Sequence, residues 1–194
     1  EDVKTRSYFQ FLSEPKFLQA ITSASFAYVV MAFLMTATPI SMHIIHKLSL
    51  DKLGVVMQFH VVAMFLPSLV TGNLIKKFGY SNMMYAGVAF YIFTILMSFF
   101  EPSYFNYFAG LVFLGIGWNF LFVSGTSLLV TTYRPEEKFK AQGFNDLVVF
   151  SATALSSLSA GILISLTSWK TLNLLCIPFL ILIVVSIINA DRSN

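Results

Sequence analysis

The stretch from Tyr104 to Val130 reads YFNYFAGLVFLGIGWNFLFVSGTSLLV and contains no acidic or basic side chain. A helix needs about 20 consecutive, mainly apolar residues to cross a hydrocarbon core of roughly 30 Å. A continuous apolar run favours a helix over the short alternating strands of a membrane β-barrel, the other architecture that satisfies every backbone group in lipid. This stretch therefore predicts a transmembrane helix.

Five more apolar stretches, each bounded by charged or turn residues, predict the same structure. The predicted fold is all-α, a polytopic transmembrane helix bundle. Pro135 followed by two acidic residues is typical of the first turn of a helix, so we expect the fifth helix to begin ahead of its apolar run. The six predicted spans cover about residues 17–42, 53–75, 83–100, 104–130, 141–166 and 172–188.

The composition indicates that lipid is the solvent of this chain. Of its residues 57% are hydrophobic and 11% charged, whereas about a quarter of the residues of a soluble domain are charged. Such a chain cannot cover itself with polar surface, so we expect it to lie in the lipid bilayer. The formal charge is +3, but the basic residues are scattered over loops. They form no stripe of the kind that nucleic acid needs, and we expect no nucleic-acid partner.

The basic residues predict the orientation of the bundle, because Lys and Arg collect in cytoplasmic loops. If the chain starts in the cytoplasm, nine of its twelve basic residues lie there, and the opposite orientation inverts that ratio. We therefore expect both termini to be cytoplasmic, with 1–16 as a lead-in and 189–194 as a tail. The nine residues are Lys4, Arg6, Lys16, Lys76, Lys77, Arg134, Lys138, Lys140 and Arg192.

The loop after the second predicted span carries a partial motif. Its sequence from Gly72 to Gly79, GNLIKKFG, resembles the Gly-x-Leu-x-Asp-x-x-Gly signature of the major facilitator superfamily, in which the loop recurs in each half of the fold. Lys76 stands where the signature has its acid. In the superfamily the copy of the signature in the second half is typically degraded, so this departure indicates that the chain is the C-terminal six helices. The gating role of the acid does not carry over, and Lys76 itself is kept as a gate candidate.

Longer segments resemble a group of bacterial permeases in the same superfamily. They are QFHV at 58–61, MFLPS at 64–68, GIGWNFLF at 115–122, RPEE at 134–137 and QGFND at 142–146. The resemblance spans most of the chain, from Pro39 to Gly161. It implies a twelve-helix transporter of two pseudo-symmetric halves, which works by alternating access with a site near the midplane. The missing partner would be the N-terminal six-helix half, the membrane a bacterial inner membrane, and the ligand a small-molecule substrate.

Polar side chains inside the predicted spans are functional candidates, because each is costly to place in lipid. His60, with Gln58 beside it, is a candidate for substrate binding and for proton coupling, since imidazole changes its charge near neutral pH. The alternative is that His60 only hydrogen-bonds a neighbouring helix.

The fourth span offers a second group. In the superfamily the first and fourth helices of a half line the cavity. The resemblance therefore makes Trp118, Asn119 and Phe122 candidates for substrate contact, together with Thr36 and Thr38 of the first span. The alternative is that Asn119 clamps two helices together and that Trp118 only packs.

Three further features have a structural as well as a functional interpretation. Asn145 and Asp146 lie at the cytoplasmic start of the fifth apolar run, where Asp146 is either a gate or proton-coupling carboxylate or a solvated acid paired with the basic loop.

Pro39 and Pro67 lie inside predicted spans and would kink them. His43 and His46 have the spacing of metal ligands but lack further ligands nearby in the sequence, so we predict no metal site and no cofactor.

The motifs exclude most other functions. The sequence contains no HExxH, no GxSxG and no paired carboxylates within the spans, so we do not expect an enzyme. No GxxxxGK[ST] loop is present to bind nucleotide phosphates. We therefore expect secondary transport, driven by an ion or proton gradient. The alternative is a scaffold or receptor of carrier ancestry that no longer transports.

Overall fold

The computed structural model describes residues 5–193, and the secondary structure within them is helical. The helices are α1 Tyr8–Leu12, α2 Pro15–Pro39, α3 Leu50–Phe65, α4 Ser68–Phe78, α5 Tyr80–Met97, α6 Tyr104–Val130, α7 Lys138–Leu166, α8 Trp169–Leu174 and α9 Ile177–Arg192. A π-helical segment, Ile40–Ile45, prolongs α2, and a 3-10 turn, Pro135–Glu137, precedes α7.

Six passages across a membrane are present if α3 and α4 are counted as one bent span. In the described part of the chain five helical stretches are long and apolar enough to cross alone, and α3 with α4 forms a pair bent by 41°. The prediction of an all-α transmembrane bundle is confirmed, and the chain is an integral membrane protein. Two predicted spans differ in detail, since the second is broken at Pro67 and the sixth between α8 and α9.

Both breaks occur beside a proline. Pro67 and Pro178 have no backbone N–H, so neither can continue the hydrogen-bond ladder of an α-helix. At the second break Pro178 lies within the first two residues of α9, where the lost donor is tolerated. The sixth span is therefore interrupted only briefly, between Leu174 at the end of α8 and Ile177 at the start of α9.

Helix α6 lies at the centre of the bundle, against α2, α3 and α5. It comes close to the backbone of its neighbours at two glycines. A Cβ atom on Gly115 would lie 2.7 Å from the His60 carbonyl oxygen of α3, and one on Gly125 would lie 2.8 Å from the Ala20 carbonyl oxygen of α2. Neither place has room for a larger residue, which is the small-residue packing common in membrane bundles.

The bend at Pro67 is held from the side by Asn119 of α6. The Asn119 amide donates to the Met64 carbonyl oxygen over 2.7 Å and to the Ser68 hydroxyl oxygen over 2.6 Å, and its own oxygen accepts from the Thr71 hydroxyl over 2.7 Å. Asn119 is completely buried. Its side chain therefore joins the last residues of α3 to the first turn of α4.

The ends of the chain meet at one end of the bundle, which we call the basal end; it holds residues 5–14, 76–82, 131–140 and 189–193. There the Arg6 guanidinium binds both carboxylate oxygens of Glu137, with Nη2 2.7 Å from Oε2, and its Nη1 donates to Glu14 over 2.6 Å. The backbone N–H groups of Arg6 and Arg134 also donate to Glu137. This contact fixes the lead-in segment against the turn before α7.

The first prediction concerns the clamp at the bend. Replacement Asn119→Ala leaves the Met64 carbonyl and the Thr71 hydroxyl without this partner in a buried place, and we expect it to lower the free energy of unfolding by about 1 to 2 kcal/mol. Thermal unfolding of the purified membrane protein measures the change. Asn189→Ala, at an exposed asparagine of α9, is the control. Equal stability of the two variants would contradict the clamp.

The second prediction concerns the buried acid of the basal end. The hydrogen bonds from Arg6 lower the pKa of Glu137 from 4.5 to about 2, against the effect of burial. A lowered pKa contributes stability above pH 4.5, and the contribution is lost as the pH falls through about 2. Glu137→Gln should therefore be less stable than the parent at neutral pH, with a difference that disappears towards pH 2.

Unfolding of the parent protein and of Glu137→Gln between neutral and acidic pH measures this difference. The control is Glu136→Gln, whose side chain is exposed next to Glu137. A difference between parent and Glu137→Gln that persists unchanged into acid would show that the carboxylate charge does not hold the lead-in segment.

Candidate functional site

Three aromatic side chains meet halfway along the two central helices and form what we call the aromatic cluster: Tyr28 of α2 with Trp118 and Phe122 of α6. The rings of Trp118 and Phe122 stack with centroids 5.0 Å apart. The Tyr28 ring meets both edge-on, at 5.2 Å from Trp118 and 4.9 Å from Phe122. The aromatic cluster therefore lies at mid-depth in the bundle.

The aromatic cluster reaches the surface of this bundle through two exposed rings. Phe65 of α3 lies 5.7 Å from Trp118, and Phe150 of α7 lies 6.4 Å from Tyr28. Phe65 is 59% exposed and Phe150 62% exposed. Four helices thus contribute aromatic rings to one region of the bundle surface.

One polar atom in the aromatic cluster is unused. The indole Nε1–H of Trp118 is buried and has no hydrogen-bond partner among the described residues. Buried N–H groups nearly always have a partner, so an unpartnered one in a group of aromatic rings indicates a place for an acceptor. A flat ligand with acceptor atoms on its rim has the matching chemistry.

His60 lies elsewhere, between α3 and α6. It is completely buried, and its Nδ1 is 2.8 Å from the Leu111 carbonyl oxygen. A carbonyl only accepts, so Nδ1 carries the proton, and Nε2 of the neutral ring is an acceptor. Nε2 has no partner within the described residues. The hydrogen bond to a neighbouring helix is therefore present, and one ring nitrogen remains free to accept a proton.

The other predicted side chains do not join the aromatic cluster. The amide of Asn119 is fully engaged at the bend, and the Thr38 hydroxyl donates to the Leu34 carbonyl oxygen of its own helix over 2.7 Å. Thr36 and Gln58 are exposed.

The gate candidates lie at or near the basal end. Lys76 and Asp146 are exposed, whereas Asn145 is buried and donates to the Asp146 carboxylate over 3.1 Å. Trp118 and Phe122 thus lie in the aromatic cluster, His60 at the α3–α6 contact, and the gate candidates at or near the basal end.

Both histidines near the outer end of α2 are occupied by hydrogen bonds. His43 Nδ1 lies 2.9 Å from the Leu48 carbonyl oxygen, and His46 Nδ1 lies 2.8 Å from that of Ser41 and 2.9 Å from the Tyr107 hydroxyl. Within residues 5–193 no three His, Cys, Asp or Glu side chains are grouped as metal ligands would be.

Sequence reasoning missed Tyr28, Phe65 and Phe150. The available signal was a phenol in the middle of a long apolar run, SASFAYVVMAF at 23–33, where a polar tip needs either a partner or a ligand. The contact of Tyr28 with Trp118 could not be found in this way, because it depends on how α2 and α6 are rotated against each other.

Comparison with known proteins gives a consistent result. The family model described as Major Facilitator Superfamily matches residues 20–193. The chain is 36% identical over 179 residues to the riboflavin transporter RfnT of Brucella anthropi, a match that covers 92% of this chain and 45% of that protein. It is 33% identical to two uncharacterized transporters of the same superfamily from Bacillus subtilis, YddS over 151 residues and YdeG over 149.

The chain spans less than half the length of these relatives, since the Bacillus subtilis matches cover 76% of this chain and 34% of each protein. No solved structure matches it. The family match extends over nearly the whole chain, and the relatives carry the names of transporters and not of enzymes. With its all-helical membrane bundle, this chain belongs to the Major Facilitator Superfamily.

Proposed function

We propose that this chain is the C-terminal half of a twelve-helix secondary transporter whose substrate is a small, flat heteroaromatic molecule of the flavin type. The observation that carries the proposal is the aromatic cluster with the unused Trp118 indole N–H at mid-depth. The similarity to a riboflavin transporter over 92% of the chain supports the same substrate class.

The chemistry of the aromatic cluster suits such a molecule. Each favourable pair of aromatic rings contributes about 0.5 to 1.5 kcal/mol beyond the burial of area. A flavin ring system is planar and carries carbonyl oxygens and ring nitrogens at its edge. It would stack on the Trp118 and Phe122 pair and accept a hydrogen bond from Trp118, while Phe65 and Phe150 would cover its apolar edge. Thr36 and Gln58, both exposed, remain candidates for its polar substituents.

The second wall of the site would come from the N-terminal six helices. One half with an exposed aromatic region cannot enclose a ligand, and alternating access requires two bundles that rock about a shared site. In this proposal both termini of the present chain are cytoplasmic and the membrane is the bacterial inner membrane. Lys76 at the basal end and Asp146 near it face the partner half as part of a cytoplasmic gate, and the buried Asn145 orients Asp146 by its hydrogen bond.

His60 is proposed as the proton-coupling residue. It lies within the span, and its Nε2 has no hydrogen-bond partner among the described residues. Protonation there would place a charge between α3 and α6 beside Gly115, where the helices are in close contact. Such a charge would favour a different arrangement of the two helices, as coupling requires.

The first test uses Trp118. The complete carrier in proteoliposomes should take up riboflavin, and Trp118→Ala should raise KM about tenfold or more, because stacking and a hydrogen bond are both lost. Trp118→Phe keeps the stack and should give a smaller increase. Trp169→Phe, at the outer end of the bundle, is the matched control. Absence of flux of any flavin in the parent carrier would contradict the substrate class, and an unchanged KM in Trp118→Ala would contradict the site.

The second test uses His60. Replacement His60→Gln keeps a donor that can reach the Leu111 carbonyl but removes the titrating group. We expect uptake driven by a pH gradient to be lost, whereas exchange of labelled for unlabelled substrate without a gradient should persist, because binding is intact. His43→Gln, at an exposed histidine in the last turn of the first span, is the control. Full gradient-driven uptake by His60→Gln would remove His60 from the coupling.

A further inference from the structure

A cavity of about 410 Å³ opens at the basal end, between the start of α2, the turn from α4 to α5 and the ends of α6 and α9. The aromatic cluster lies farther along α2 and α6, towards the middle of the bundle, so the cavity is separate from it. Tyr80 and Phe78 line it, and Phe78 is 48% exposed. Aromatic residues at the ends of spans mark the level of the lipid head groups. The cavity is therefore at the depth of the head groups of one leaflet.

Two opposite charges line this cavity without neutralising each other. They are the Lys16 ammonium and the Asp191 carboxylate, both on exposed residues. Within residues 5–193 the ion pairs are Arg6 with Glu14 and Arg6 with Glu137, so Lys16 and Asp191 are too far apart to pair directly. A ligand that carries one negative and one positive group can bridge them.

The acidic side of the cavity is held in place by neighbouring side chains. The Ser81 hydroxyl donates to Asp191 Oδ1 over 2.7 Å, and the Gln19 amide donates to the Ser81 oxygen over 3.1 Å. Gln19 is only 3% exposed. A carboxylate has about four acceptor positions, so Asp191 keeps capacity for a second donor. The hydrogen bond from Ser81 fixes the Asp191 carboxylate at the cavity and leaves further acceptor positions available to a ligand.

The basic side of the cavity suits a phosphate. Lys16 lines it, and the Lys77 ammonium lies 5.1 Å from the centre of the Phe78 ring at its rim. Basic pockets between transmembrane helices at this level are typical of phospholipid recognition. The exposed Phe78 ring gives the first apolar contact for the part of a lipid next to its phosphate.

We propose that this cavity binds the head group of a phospholipid with a primary amine, of the phosphatidylethanolamine class. Lys16 binds its phosphate, and Asp191, held by Ser81, accepts hydrogen bonds from its ammonium group. A choline head group offers no N–H to Asp191, and a purely anionic head group places negative charge beside it. The site is separate from the aromatic cluster, so this proposal does not depend on which substrate is transported.

The test measures the rise in unfolding temperature of the detergent-purified complete carrier on addition of phosphatidylethanolamine, phosphatidylglycerol, phosphatidylcholine or inorganic phosphate. We expect phosphatidylethanolamine to give the largest rise. Asp191→Asn and Lys16→Gln should each weaken its binding about fivefold. The control is Lys170→Gln, an exposed lysine at the outer end, which should behave as the parent.

Three results would overturn the proposal. An equal or larger rise with phosphatidylglycerol would make the cavity a site for anionic lipid, and an equal rise with inorganic phosphate would make it a phosphate site. Unchanged selectivity in Asp191→Asn would remove the carboxylate from recognition. The ranking of the lipids by the rise in unfolding temperature is measured on the parent carrier alone, so it remains valid if a variant fails to fold. Transport is not measured, so loss of the flavin proposal would leave the result unaffected.

Discussion

Lipid offers no hydrogen bonds to a protein backbone, so each peptide group in a span must be satisfied inside the protein. Much of this bundle follows from that constraint. Polar side chains within its spans donate mainly to carbonyl oxygens, some on their own helix and some on a neighbouring helix. Ser23 donates to Leu121, Tyr91 to Ala27, Thr94 to Gly110 and Ser156 to Val29. These contacts join α2, α5, α6 and α7 without placing a free polar group in lipid.

The same constraint explains the hydrogen bonds that Asn119 makes in this fold. Pro67 interrupts the second span and lacks a backbone donor, and the nearby carbonyl oxygen of Met64 accepts from the Asn119 amide over 2.7 Å. At the 41° bend a neighbouring helix thus supplies a hydrogen-bond donor to the backbone. An asparagine in the middle of a span resembles a substrate ligand in the sequence, but in the fold its amide and its oxygen are already engaged.

Among the buried polar side-chain atoms that have no partner within the described residues, two lie in surroundings that suggest a function. The indole N–H of Trp118 lies among aromatic rings, and Nε2 of His60 lies at a helix contact. The two atoms suggest separate tasks, recognition of a flat ligand and acceptance of a proton. The unpaired charges of Lys16 and Asp191 suggest a third task at the level of the head groups. Each inference has the same physical basis, that a polar or charged group in or near lipid without a partner is costly unless something binds it.

The sequence alone determined the class of fold and the family, because the preference for lipid is a property of single residues that adds along a run, and short motifs survive within such runs. It also identified Trp118 and Phe122 as candidates, through the resemblance of the fourth span. It did not identify Tyr28, and it left open whether Asn119 and His60 bind a ligand or a neighbouring helix. Those questions depend on the rotation and depth of one helix against another, which are set by contacts such as that of Gly115 with the backbone of His60. Such contacts join residues far apart in the chain, so only the tertiary structure decided which polar atoms were already paired and which rings came together.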